Sequence, residues 1–92
     1  ALDHRIGPHF LYAGIGYGGS CFPKDVRALV HTAKAVEIDT SLLDAIESIN
    51  HLQKNWIFEQ LVKHFKNKLT GLTVGLWGLS FKPGTDDMRE AS

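Results

Sequence analysis

The strongest constraint on this chain is a long apolar stripe. Leu42, Ala45, Ile46, Ile49, Leu52 and Trp56 recur at helical spacing, and Leu61, Val62 and Phe65 continue them. Ser41-Leu42-Leu43-Asp44 has the form of a capping box with Asp in the acidic place. Lys63, His64, Lys66 and Lys68 gather where cations favour the end of a helix, and Thr70-Gly71 closes the run. The pattern predicts one helix over 41–67, well beyond the globular average of about 11–12 residues. In a chain of 92 residues little else is available to cover such a face. The helix is therefore expected to meet a partner: the same helix of a second copy, or domains outside this chain.

A second helix is expected from about Pro23 to Val36. Pro23 suits a first turn, and Val26, Leu29, Val30, Ala33 and Val36 follow at helical spacing. At Leu72-Thr73-Val74-Gly75-Leu76-Trp77 the period changes to two, as in a strand, with Trp77 a core candidate. Residues 78–85 read as a loop, and Asp86-Asp87-Met88-Arg89-Glu90 as a first helical turn with acids at its positive end. A single strand without a partner is not a stable unit. The fold class expected is mainly α. A helical domain over 1–70 is followed, over 71–92, by the first strand and turn of an α/β domain, so that the chain is expected to be a fragment.

Composition removes several classes of function. Ten Lys and Arg balance ten Asp and Glu, which argues against nucleic acid or an anionic membrane surface as the main partner. No apolar run approaches the roughly 18 residues of a membrane span. The start, Ala1-Leu2-Asp3-His4-Arg5, is charged and lacks the apolar stretch of a signal peptide. One cysteine, Cys21, forms no internal disulfide and no structural zinc site, so a cytoplasmic protein with a free thiol is expected. His4, His9, His31, His51 and His64 are scattered without metal-ligand spacing, and no metal is expected. Trp56, Phe58 and Phe65 read as packing or dimer contacts rather than a ligand box.

Chemistry is concentrated near the glycines. Gly14-Ile15-Gly16-Tyr17-Gly18-Gly19 satisfies the spacing of a dinucleotide fingerprint, with Glu37 as a tempting ribose acid. That reading is rejected. Ile6-Gly7-Pro8-His9-Phe10 is no strand, and Pro23 starts the helix several residues too late. Ser20-Cys21-Phe22-Pro23-Lys24-Asp25 is more informative. It sets Cys21 at a helix N-terminus beside Lys24, and both features stabilise a thiolate. Neighbouring glycines are expected to leave the sulfur open to substrate. Such a thiolate serves covalent catalysis, and Asp25, one helical turn on, is suited to position water or a proton. The plain alternative is a capping Asp25 and a solvated Lys24. A thiol hydrolase pairing Cys21 with His9 or His31 is a competing covalent reading that no spacing compels.

Gly16-Tyr17-Gly18-Gly19-Ser20-Cys21-Phe22-Pro23-Lys24-Asp25 resembles the active-site segment of the UDP-glucose/GDP-mannose dehydrogenase family. Asp3-His4-Arg5-Ile6-Gly7 resembles the family's segment before that loop. The run from Phe81-Lys82-Pro83-Gly84-Thr85 through Asp86-Asp87-Met88-Arg89-Glu90-Ala91-Ser92 resembles the opening of its C-terminal domain. Tyr17 and Phe22 are more similar to the UDP-glucose branch than to the GDP-mannose branch.

The resemblance implies a two-step oxidation of a sugar-nucleotide primary alcohol to a carboxylate with two NAD+, through a cysteine thiohemiacetal and thioester. It implies that Cys21 is the nucleophile and Asp25 the acid that positions water. It matches Lys24 and Arg89 to cofactor binding. It matches Phe10, Leu11, Tyr12, Ala13, Gly14 and Gly18 to a segment wrapping the UDP-sugar, and Lys82 to a substrate lysine. It matches Arg5 to an arginine that reaches the neighbouring subunit's nucleotide. It also implies a homodimer through the helix over 41–67, a Rossmann domain and an assisting lysine and asparagine outside this chain, and a fragment inactive by itself. A non-catalytic dimerisation module is the competing class, and a dehydrogenase for GDP-mannose or a UDP-N-acetyl sugar is the competing substrate reading. Plain surface charge is the alternative for Lys82 and Arg89.

Overall fold

The computed structural model describes residues 3–8 and 11–92. Among them a 3-10 turn, His4–Ile6, precedes two α-helices, α1 (Phe22–Ala35) and α2 (Ser41–His64). The helices form a hairpin, and both helical expectations hold to within a few residues. Pro23 and Val26 are the buried members of α1. Pro23 stands in the first turn of the helix, where a missing N–H is harmless.

Cap chemistry differs from the expected form. Ser41 is the first residue of α2 and Thr40 its N-cap. The Thr40 hydroxyl donates to Asp44 at 2.8 Å, and the Ser41 hydroxyl and N–H both turn back to Asp39. Lys34 crosses from α1 to the same Asp44 carboxylate at 2.9 Å. Lys34 and Thr40 together hold the Asp44 carboxyl below the usual carboxylate range. Thr40 is only 5% exposed, so its hydroxyl needs this partner.

Both helices end without glycine. Glu37 sits at φ 58, its N–H reaches the Lys34 carbonyl, and the Ile38 N–H reaches Ala33. Lys66, at φ 50, repeats the device, with its own N–H on Lys63 and the Asn67 N–H on Val62. These are Schellman-type closures, which satisfy last-turn carbonyls through left-handed backbone, at Glu37 after α1 and at Lys66 and Asn67 after α2. They stop α2 at His64. The expected stop at Thr70-Gly71 comes after the helix has already ended, and Gly71, at φ 83, belongs to the following turn.

The strand expected over 72–77 does not form among the described residues, because a ladder needs a second strand and none is present. Trp77, the core candidate, is fully exposed at 101%. The first helical turn expected at 86–90 is also absent. Asp87 accepts the Arg89 backbone N–H at 3.0 Å, which closes a local turn instead of starting a helix.

Little of the described chain is enclosed. Val26 is its one buried hydrophobic side chain, at 9% exposure. The accessible surface is 8067 Å². A compact chain of this mass would expose about 5,300 Å². The apolar stripe remains open: Leu42, Ile49, Leu52 and Phe58 are all exposed along α2. No helix is long and apolar enough to cross a membrane among the described residues.

Candidate active site

Three segments meet where α1 begins: the glycine loop, α2 and the end of the chain. The glycine loop runs along the middle of α2, enters α1 at Cys21, and is covered by the end of the chain. Asn50 of α2 grips the loop with both ends of its amide: Oδ1 accepts the Tyr17 N–H at 2.8 Å and Nδ2 donates to the Tyr17 carbonyl at 3.1 Å. Gln53 donates to the Gly14 carbonyl at 2.6 Å. The Tyr17 hydroxyl donates to Glu47, and its ring meets Phe22 edge-on at 4.9 Å. Partial burial, and then the Glu47 carboxylate, push the Tyr17 phenol from 10.0 up to about 12.

From the other side comes the tail. The Gly19 N–H donates to the Arg89 carbonyl at 2.9 Å, and the Ser92 hydroxyl donates to the Gly16 carbonyl at 3.2 Å. A Cβ at Gly18 would lie 2.1 Å from the Glu90 carbonyl oxygen, and one at Gly19 would lie 2.7 Å from the Phe81 ring. These glycines are therefore small because the tail lies against them. The space that side chains would take at these two glycines is filled by Phe81, Glu90 and Ala91, while Cys21 itself is exposed.

Cys21 occupies the N-cap position of α1 and is exposed. Its sulfur lies 3.7 Å from the Ser20 hydroxyl. The Asp25 N–H donates to the Cys21 carbonyl at 2.9 Å, while the Asp25 carboxylate faces Lys24 Nζ at 3.3 Å. Arg89 forks onto Asp87, with Nε to Oδ1 at 2.9 Å and Nη2 to Oδ2 at 3.1 Å. Arg89, and less so Ser20, drives the Asp87 carboxyl far below the usual range. Asp87 and, to a smaller degree, Cys21 raise the affinity of the Arg89 guanidinium for its proton.

Gly19, Ser20, Lys24, Arg27, Arg89 and Glu90 line a surface hollow of about 390 Å³ at this junction. The three cations of this hollow are paired with Asp25, Glu90 and Asp87, and an anionic ligand there would take the place of such carboxylates. No group of His, Cys, Asp and Glu that would hold a metal occurs among the described residues.

The structure brings Cys21, Lys24, Asp25, Gly18 and Arg89 together. Others stand apart. Arg5 is forked onto Asp3, two residues away, at 2.6 Å. Lys82 rests over its neighbour, the Phe81 ring, with its ammonium 5.2 Å from the centroid. Leu11, Tyr12 and Ala13 are exposed, and Gly14 has nothing within 4 Å of a notional Cβ. Phe10 lies outside the described residues, as does His9. Sequence reasoning missed Arg27, Glu47, Asn50, Lys54 and Glu90. Glu47, Asn50 and Lys54 fall at i, i+3 and i+7, one polar face opposite the apolar stripe, and that spacing was a signal for them.

Residues 1–52 match the family model of the UDP-glucose/GDP-mannose dehydrogenase family, central domain. The chain belongs to that family. It is 58% identical, over 89 residues, to a UDP-glucose 6-dehydrogenase of Pseudomonas aeruginosa, covering 97% of this chain and 20% of that protein. UDP-glucose 6-dehydrogenase YwqF of Bacillus subtilis is 53% identical over 89 residues, with the same 97% and 20% coverage. UDP-glucose 6-dehydrogenase AglM of Haloferax volcanii is 46% identical over 90 residues, covering 98% and 20%. The chain spans about a fifth of the length of the curated relatives it matches. The family match runs through the glycine loop, Cys21 and α1 into the middle of α2, and the likeness to the relatives extends over the tail that closes on them.

Proposed function

We propose that this chain is the central segment of an NAD-dependent UDP-glucose 6-dehydrogenase, and that Cys21 is its nucleophile. The substrate is a UDP-sugar whose C6 alcohol becomes a carboxylate, UDP-glucose giving UDP-glucuronate. The observation that carries this reading is an exposed thiol at the start of α1, next in the chain to Ser20, which lines one hollow with Lys24, Arg27, Arg89 and Glu90.

The chemistry accounts for the thiol. Oxidation of the alcohol to an aldehyde removes one hydride. An aldehyde has no second hydride to give until a nucleophile adds to its carbon. Addition of the Cys21 sulfur, with a proton to the oxygen, forms a thiohemiacetal. Removal of its hydride and hydroxyl proton leaves a thioester, which water hydrolyses, returning the thiol and releasing the acid. NAD+, taken up twice, supplies the acceptor for the two hydrides. Lys24 and Arg89 would hold its pyrophosphate, turning from Asp25 and Asp87 to do so, because guanidinium and ammonium donors pair strongly with phosphate oxygens. Asp25, one turn from Cys21, is the group we assign to the hydrolytic water.

Leu11, Tyr12, Ala13, Gly14 and Gly18 are assigned to the UDP-sugar together with Phe10, Lys82 and Arg5. Lys82 and Arg5 would leave their present neighbours to reach it. The open apolar face of α2 supports a homodimer, and the two domains would divide near residue 70. The protein would act in the cytoplasm without nucleic acid or membrane. The 92 residues alone would not turn over substrate.

Replacing Cys21 with Ser in the full-length protein tests the proposal. Acid formation and NADH production are expected to fall at least 1000-fold, with the circular dichroism spectrum unchanged. Parental rates of uronic acid formation in a folded Cys21→Ser protein would remove the nucleophile.

A further inference from the structure

The chemistry above gives no task to Glu90 or Lys54, yet the junction is built around them. Glu90 sits at φ 54, in the left-handed region that a side chain with a Cβ rarely adopts. Such a conformation persists only where its surroundings over-determine it. Here both ends of the residue are held. Arg27 of α1 donates to the Glu90 carboxylate at 2.8 Å. Lys54 of α2 lies 3.6 Å from the other carboxylate oxygen and donates to the Glu90 backbone carbonyl at 3.1 Å. Arg27 itself is braced by a bond from Nε to the Pro23 carbonyl at 3.1 Å. Lys54 is only 21% exposed, so this contact is more than a loose surface pair.

We propose that Glu90 is a positioning residue: by bridging Arg27 and Lys54 it holds the left-handed turn that sets Arg89 against the Cys21 loop. Immediately before Glu90, the Arg89 carbonyl receives the Gly19 N–H. Two residues after it, Ser92 reaches the Gly16 carbonyl. The turn between these contacts passes over Gly18, whose missing side chain leaves space for the Glu90 carbonyl. Rotation of Glu90 toward ordinary backbone angles would withdraw its carbonyl from Lys54 and swing Arg89 off Gly19. Glu90 lines the same hollow as Arg89, but its carboxylate is taken up by Arg27 and Lys54, so it acts on the site by positioning its neighbour.

This inference rests on the proposed dehydrogenase reading for its kinetic consequence, but not for its structural one. The experiment uses the full-length protein with Glu90→Ala, Glu90→Gln and Glu90→Asp, and reads hydrogen exchange at the Gly19 amide beside steady-state kinetics. Gly19 exchange is expected to quicken at least tenfold in Glu90→Ala. The KM for NAD is expected to rise about tenfold, with the KM for UDP-glucose within twofold, and Glu90→Asp should recover part of the loss. Unchanged Gly19 exchange in a folded Glu90→Ala protein overturns the clamp. Equal rises in both KM values that follow a drop in melting temperature overturn the positioning role and leave a structural one. Should Glu90→Ala fail to fold, Glu90→Gln, which keeps the shape and loses the charge, gives the same readouts. An active Cys21→Ser protein would sink the dehydrogenase mechanism while leaving the Gly19 exchange result to decide the clamp.

Discussion

The middle of α2 and its C-terminal end use opposite physics. Glu47, Asn50, Gln53 and Lys54 in the middle meet the glycine loop and the tail, and nearly every contact is a directed hydrogen bond to backbone. Toward the end, Phe58, Leu61 and the C-cap Phe65 lie beside Leu69, Leu72 and Val74 around an apolar hollow of about 240 Å³. Directed bonds hold a loop in one arrangement, because each donor has one acceptor within reach. Apolar contact is non-directional and scales with the area removed from water. The polar side chains of α2 can therefore define a site from within this chain, whereas its exposed apolar side chains, Leu42, Ile49, Leu52 and Phe58 among them, await surface to cover them.

That contrast is broken most severely at Gly18. Gly18→Ala would drive a methyl group into the Glu90 carbonyl, a backbone atom with no side-chain freedom to yield. The tail is expected to lift from the loop, at a stability cost of about 1–3 kcal/mol for overpacking. A shift of about 1 Å in Arg89 relative to Cys21 is expected to lower kcat/KM roughly 100-fold. Gly75→Ala is the matched control. Nothing lies within 4 Å of its Cβ, and stability is expected to change by less than about 0.5 kcal/mol. Equal melting temperatures and equal activities for the two variants would erase the distinction between the regions.

The apolar face is probed by adding charge. Leu52 is exposed on α2. Leu52→Asp is expected to leave the helix hairpin intact while shifting the full-length protein toward monomer in sedimentation, because burying an unpaired carboxylate in an interface costs several kcal/mol. An unchanged sedimentation profile would separate this face from the proposed dimer contact.

What could be read in advance follows the same division. The helices were legible because Val26, Leu29, Ala33 and the Leu42–Trp56 stripe repeat with the helical period, a local property. Their ends were less so. Thr70-Gly71 is the usual punctuation, but Glu37 and Lys66 adopt the left-handed closure without glycine, several residues earlier in the second case. The alternation over 72–77 reports a chain suited to a strand, and only a neighbouring strand could make it one. At the site, Cys21, Lys24 and Arg89 were legible from the motifs they sit in. Asn50 and Lys54 carried a weaker signal, a polar face on an apolar helix. Glu90 carried none, because its role depends on Arg27 and Lys54, 63 and 36 residues away, arriving at one turn.

The smallest effect belongs to Tyr17, and it sharpens the comparison through pH. Its hydroxyl donates to Glu47 of α2, and the phenol is raised from 10.0 to about 12. The folded protein therefore holds this proton more tightly than the unfolded chain does. The associated stability is fully present below pH 10, and is lost as pH rises from about 10 through about 12. Tyr17→Phe removes both the bond and the titration. At pH 7 it is expected to cost about 1 kcal/mol, the scale of one partly exposed hydrogen bond. The stability gap between the two proteins should then narrow between pH 10 and 12 in denaturant titrations. A gap that stays constant across that window would mean the phenol does not keep its proton for Glu47, and the loop would be held to α2 by Asn50 and Gln53 alone.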